Sequence, residues 1–150
     1  MIWTSTIWPI VFVIHILCAV IWVGGMFFAL LVLRPSLAVL EPAQRLQLHS
    51  QVFRRFFLII WHAMPLALIS GFAMLLGVFG GFAGAGWSVN LMMLLGLIMA
   101  ALFLVVFFGP WARFRYGTDP ARAADSIRRL ILVNLVLGLV TVCVAAVGRW

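Results

Sequence analysis

The chain has 150 residues, 67% hydrophobic and only 9% charged, against roughly 25% charged in soluble domains, so its broad class is an integral membrane protein. The net charge of +7 does not mark a nucleic-acid-binding face: all ten basic residues are arginines, and nine sit in two short segments between apolar runs, the footprint of membrane topology. At roughly 20 apolar residues per crossing, the length suits one domain, residues 1–150, of about four spans and no soluble domain.

Met1 to Thr6 form an uncharged lead, with Trp3 and Trp8 where interfacial aromatics sit. Pro9 suits a first helical turn. The apolar run 8–33 is too long for a signal peptide's core, has no basic segment before it, and ends at Arg34-Pro35 without a small-residue cleavage site. It reads as the first spanning helix. Along it His15, Cys18, Trp22 and the Gly25-Met26 pair fall near one face at 3.6 residues per turn. An imidazole in hydrocarbon is costly without a partner, so this face turns into the protein, and its small residues let a neighbouring backbone or a flat ligand come close.

From Arg34 to Arg55 the chain turns polar, and Glu41-Pro42 starts an amphipathic helix leading to Arg54-Arg55. The second span, 56–77, carries Trp61, His62, Pro65, Ser70 and Gly71. Pro65 removes a backbone hydrogen bond to the turn of Trp61 and His62, which predicts a kink beside the histidine. Gly77 to Ser88 holds five glycines and no charge, a flexible loop with Trp87 at the interface. The third span, 89–108, is stopped by Gly109-Pro110. Trp111 to Arg129 then carries five arginines with Asp119 and Asp125, and Thr118-Asp119-Pro120 starts another helix. The fourth span, 130–147, contains Asn134, Gly138, Thr141 and Cys143 before Gly148-Arg149-Trp150. Asn134 and Thr141 are expected to make interhelical hydrogen bonds. Cys18 and Cys143 both lie inside spans, which argues against a disulfide framework.

The expected fold is therefore an all-α integral membrane protein, a four-transmembrane-helix bundle. The two arginine-bearing connections are cytoplasmic by the positive-inside rule, so both termini are non-cytoplasmic. Pro35 with Glu41-Pro42-Ala43 is echoed by Pro110 with Asp119-Pro120-Ala121, read first as shared turn chemistry.

Few groups are left for chemistry. There is no lysine, one glutamate, and no aspartate in a span, so Ser/His/Asp catalysis, paired carboxylates and phosphate-cradling loops are absent and no catalytic residue is assigned. What remains in the membrane is His15 and His62. His15 lies 19 residues before Arg34 and His62 lies 20 after Pro42. If both helices run unbroken to that turn, the two imidazoles reach nearly the same depth and can face each other across a haem iron. If residues 42–55 lie along the membrane surface instead, shared ligation fails. Arg55, two turns before His62 on one face, can pair with a haem propionate or snorkel to the headgroups. His49 reads as solvated or interfacial. Met26, Met64, Met74, Met92, Met93 and Met99 can offer sulfur to Cu(I), although methionine is also common filler in apolar helices.

The pattern His15-x6-Trp22-Val-Gly24-Gly25, followed by Leu33-Arg34-Pro35, Gln44-Arg45-Leu46, Arg54-Arg55-Phe56-Phe57, Trp61-His62 and Ser70-Gly71, resembles the CopD-like membrane proteins. It is also similar to the HemJ-type protoporphyrinogen oxidases, through the histidine-to-tryptophan spacing of their first helix. The likeness covers mainly the first half, through about Leu76. It implies a compact four-helix membrane protein, with copper handling on the CopD side and b-type haem on the HemJ side, where His15 matches the first-helix histidine taken to ligate haem. HemJ-type proteins use a lysine in a later helix, and this chain has none, which speaks against protoporphyrinogen oxidation. The expected function is haem-b binding with a redox or electron-transfer role, the iron held by His15 and His62 beside Trp22, Gly25 and Arg55. The alternative is a non-enzymatic copper transport or copper-tolerance protein. The expected setting is a multi-pass protein of a bacterial-type inner (plasma) membrane. Its partners are the bilayer and a quinone or another redox partner, a homo-oligomer is left open, and nucleic acid is excluded.

Overall fold

Hydrocarbon offers no water to backbone N–H and C=O groups, so a long apolar run can satisfy them only by closing its own hydrogen bonds as a helix. The computed structural model describes residues 6–148; Trp3, Arg149 and Trp150 fall outside them. Four helices are long and apolar enough to cross a membrane: α1 (Ile7–Val39), α2 (Pro42–Gly77), α3 (Trp87–Tyr116) and α4 (Pro120–Val147). There is no strand among the described residues. α1 packs chiefly on α2 and α3 chiefly on α4, so the bundle is two hairpins, joined by a loop that turns at Gly80 and Gly81, both with positive φ.

Neither proline expected to end a helix does so. α1 continues past Arg34-Pro35 to Val39, and α3 continues past Gly109-Pro110 to Tyr116. Each passes through a π-helical segment, Phe28–Leu33 before Pro35 and Phe107–Trp111 around Pro110. A proline ring collides with the carbonyl four residues earlier in an α-helix, and the wider π turn moves that carbonyl away. The halves thus share a layout: a helix with a π segment near its end, then an acid-proline start at Glu41-Pro42 or Asp119-Pro120. The Asp119 carboxylate accepts the Arg122 N–H at 3.0 Å, capping α4.

α2 has 36 residues, about 54 Å of helix at 1.5 Å per residue, against about 30 Å of hydrocarbon. We take its crossing to begin near Phe56, leaving the turns with Arg45, His49, Arg54 and Arg55 at the arginine-rich end.

That end is held by aromatic packing. Phe57, 2% exposed, has its ring centroid 5.2–6.1 Å from those of Phe53, Phe56, Phe103, Phe107 and Trp111. Trp61 extends the cluster to Phe103, Phe107 and Phe108. Deeper in the bundle Asn134 makes the expected interhelical bond, its amide donating to the Met99 carbonyl of α3 at 3.3 Å. Thr141 does not: its hydroxyl donates to Leu137 in its own helix at 2.8 Å, because a threonine oxygen reaches its own i−4 carbonyl more easily than another helix. Cys18 and Cys143 are free.

Candidate functional site

Cys18, Trp22 and Met26 are buried along one stripe of α1, and His15 begins it. Cys18 packs on Ala63 and Ala67 of α2, where small side chains let the two helices approach. One turn further from the arginines, His15 Nδ1 lies 2.9 Å from the Ala67 carbonyl and 3.1 Å from the Ser70 hydroxyl. A carbonyl only accepts, so Nδ1 carries the proton and donates it there. The Ser70 hydroxyl donates in turn to Leu66, at 2.6 Å, or to Ala67, at 3.1 Å. This tautomer leaves Nε2 with its lone pair and, among the described residues, no hydrogen-bond partner.

Gly71 makes room for the ring. A Cβ at that position would stand 3.2 Å from His15 Cε1 and 3.6 Å from Nδ1, and 3.7 Å from the Met93 methyl of α3. The His15 ring and the Met93 methyl therefore both lie over one glycine, brought there by three helices. The buried methionines continue away from this point: Met74 one turn towards the loop end, and Met64, Met99 and Met26 in the main core. Sequence reasoning does not single out Ser70 or Met93 as site residues, because nothing in an evenly apolar helix signals which methionine another helix will meet.

The other expected site residues lie elsewhere. His62 is exposed on the outer face of α2, its Nδ1 donating to the Leu58 carbonyl of its own helix at 2.8 Å. His15 meets α2 at Ala67 to Gly71, five to nine residues beyond His62, which is about 10 Å of rise, and on a different face. The equal-depth geometry is therefore not formed. The count from Arg34 misplaced the turn, which lies at Leu40-Glu41 because the π segment carries α1 past Pro35: His15 is 25 residues before Leu40, and His62 only 21 after Glu41.

Trp22, 4% exposed, fills the main core. Gly25 receives the Phe56 ring, whose Cε2 would lie 2.8 Å from a Cβ there, so its space is taken by protein. Arg55 is exposed and has no hydrogen-bond partner among the described residues, two turns from His62 on the same outward face. Two clefts, of about 230 and 70 Å³, lie at the arginine-rich end, and neither is lined by a residue of the His15 site. His15 and His62 thus do not face each other within one chain. Among the described residues no three His, Cys, Asp or Glu side chains gather as a metal site either. The groups near Gly71 are one imidazole and the methyl end of one thioether, with the Cys18 thiol one turn along α1, residue types suited to a soft ion such as Cu(I) and poorly suited to Mg²⁺ or Ca²⁺.

No curated protein and no solved structure matches the chain. A family model, copper resistance protein D, matches residues 50–148, which run from α2 through α4. The matched stretch contains the Arg54-Arg55-Phe56-Phe57, Trp61-His62 and Ser70-Gly71 motifs of the resemblance and leaves His15 outside. Since it covers more than half of the 150 residues, this multi-pass membrane protein belongs to the copper resistance protein D family.

Proposed function

We propose that the protein binds Cu(I) within the membrane and hands it along the bundle, without catalysing a reaction of its own. The observation that carries this is the His15 imidazole, whose Nδ1–H is held by the Ala67 carbonyl so that Nε2 keeps its lone pair, on a ring that lies over Gly71 together with the Met93 methyl. Orientation of a ligating histidine through its other nitrogen is the usual second-sphere arrangement of metal sites. Family membership supports copper as the cargo. Buried thioethers on three helices, Met26, Met64, Met74, Met93 and Met99, with the Cys18 thiol, supply soft ligands at several depths. Haem b on His15 and His62 is the competing reading, and no side-chain arrangement favours it.

Anaerobic titration of the detergent-solubilised full chain with Cu(I), against a chromophoric chelator, tests the proposal. The expected result is tight copper binding that His62→Ala leaves unchanged. Failure of the wild-type chain to compete for Cu(I), together with a haem absorption band in the purified protein, would overturn it.

The orientation belongs to the same proposal. Arginines of both connections share one end of the bundle, as Arg34 and Arg128 on one cleft illustrate, and that end is cytoplasmic by the positive-inside rule. In a chain with Cys18 and Cys143 replaced by alanine, Ala83→Cys should react with an impermeant thiol reagent from outside the cell and Thr118→Cys only after permeabilisation. Equal labelling of both from outside would reject this orientation.

A further inference from the structure

The smaller cleft at the arginine-rich end differs in kind from the His15 site. Its walls come from three helices, around Arg34 of α1, His49 of α2 and Arg128 of α4. The α1 wall is the π segment Phe28–Leu33 and the residue after it. A π turn rotates everything beyond it relative to a regular helix, and such turns recur at binding sites.

The lining is amphipathic. Leu30, Leu33, Val52, Phe53 and Ile131 are apolar, while Arg34, His49 and Arg128 bring basic groups from all three helices. The one carboxylate, Asp125, is paired with Arg128 at 2.6 Å. Arg34 has no acidic partner among the described residues. Burial first, then the guanidiniums of Arg34, Arg45 and Arg128, holds the His49 imidazole below the ordinary histidine range. Its volume, about 70 Å³, suits a small charged group rather than a whole cofactor.

We propose that this cleft binds the phosphodiester headgroup of an anionic phospholipid, with the phosphate between Arg34, His49 and Arg128 and an acyl chain against Leu30, Leu33 and Ile131. A phosphate oxygen accepts charge-assisted hydrogen bonds from the guanidiniums, and basic pockets between helices at a membrane surface are suited to such headgroups. Phosphate and lipid share the anion, but only the lipid uses the apolar wall that adjoins it. A bound phosphate also favours protonated His49, so binding tightens as pH falls. The site stands apart from His15, more than three turns further along α1.

Native mass spectrometry of the full chain in neutral detergent tests the proposal, with phosphatidylglycerol, phosphatidylcholine of the same acyl chains, and inorganic phosphate as probes. Phosphatidylglycerol should be retained in preference to phosphatidylcholine. Arg34→Gln should weaken it about fivefold, the worth of one interfacial basic residue. Asp125→Asn removes the only carboxylate and frees Arg128, so it should tighten binding by a similar factor, an effect that misfolding does not imitate. Arg54→Gln, outside the cleft, should change nothing, and His49→Gln should abolish the tightening at lower pH. Equal retention of the two lipids, or indifference to both Arg34→Gln and Asp125→Asn, would overturn the proposal. So would inorganic phosphate binding as tightly as phosphatidylglycerol, which would assign the cleft to a soluble anion.

Discussion

Phe57→Ala should lower the resistance of the bundle to unfolding in detergent by on the order of 2 kcal/mol, less than the 3–5 kcal/mol typical of such a truncation in a soluble core. Burial in a soluble protein counts transfer from water as well as packing. In a bilayer or micelle an unpacked phenyl ring enters hydrocarbon, so only the cavity and the lost contacts remain. Those are large at Phe57, which touches aromatic rings of both α2 and α3. Denaturation followed by tryptophan fluorescence reports it directly, since Trp111 is a ring neighbour at 5.2 Å. Phe108→Ala, at a position 68% exposed, is the matched control and should cost almost nothing.

The second large effect is on copper. His15→Ala removes the imidazole of the proposed site and should lower Cu(I) affinity about a hundredfold, the upper end of what loss of even an orienting partner costs. Ser70→Ala should cost less, about tenfold, since Ala67 still accepts the Nδ1 proton after the hydroxyl is lost. Gly71→Val belongs to the same series: a branched side chain enters the space now shared by the His15 ring and the Met93 methyl. Chelator competition on the purified variants measures all three. Equal affinities for wild type and His15→Ala would remove His15 from the site.

What was legible in the sequence follows the physics of each signal. The stripe of His15, Cys18, Trp22 and Met26 was visible because polar and small residues stand out in a helix that is otherwise apolar. Its partner face was not. α2 is apolar on its membrane side as well as its core side, so periodicity cannot say whether His62 or Ser70 looks inward, and the structure turns Ser70 in and His62 out. Pro35 and Pro110 were read by their ordinary effect, and π segments cancelled it at both places. The depth error at His62 is a consequence of the first of these. Asn134 was legible because a buried amide in a span must find a partner, whereas Met93 owes its position to the packing of α3 on the other hairpin.

The central claim is that copper is held in the membrane by the His15 imidazole together with sulfur, and X-ray absorption at the copper edge of the Cu(I)-loaded chain tests it most directly. The account predicts a mixed first shell, with thioether or thiolate sulfur and one imidazole whose outer-ring scattering disappears in His15→Ala and persists in His62→Ala. A shell of sulfur alone in the wild-type protein, or an imidazole signal that survives His15→Ala, would contradict it.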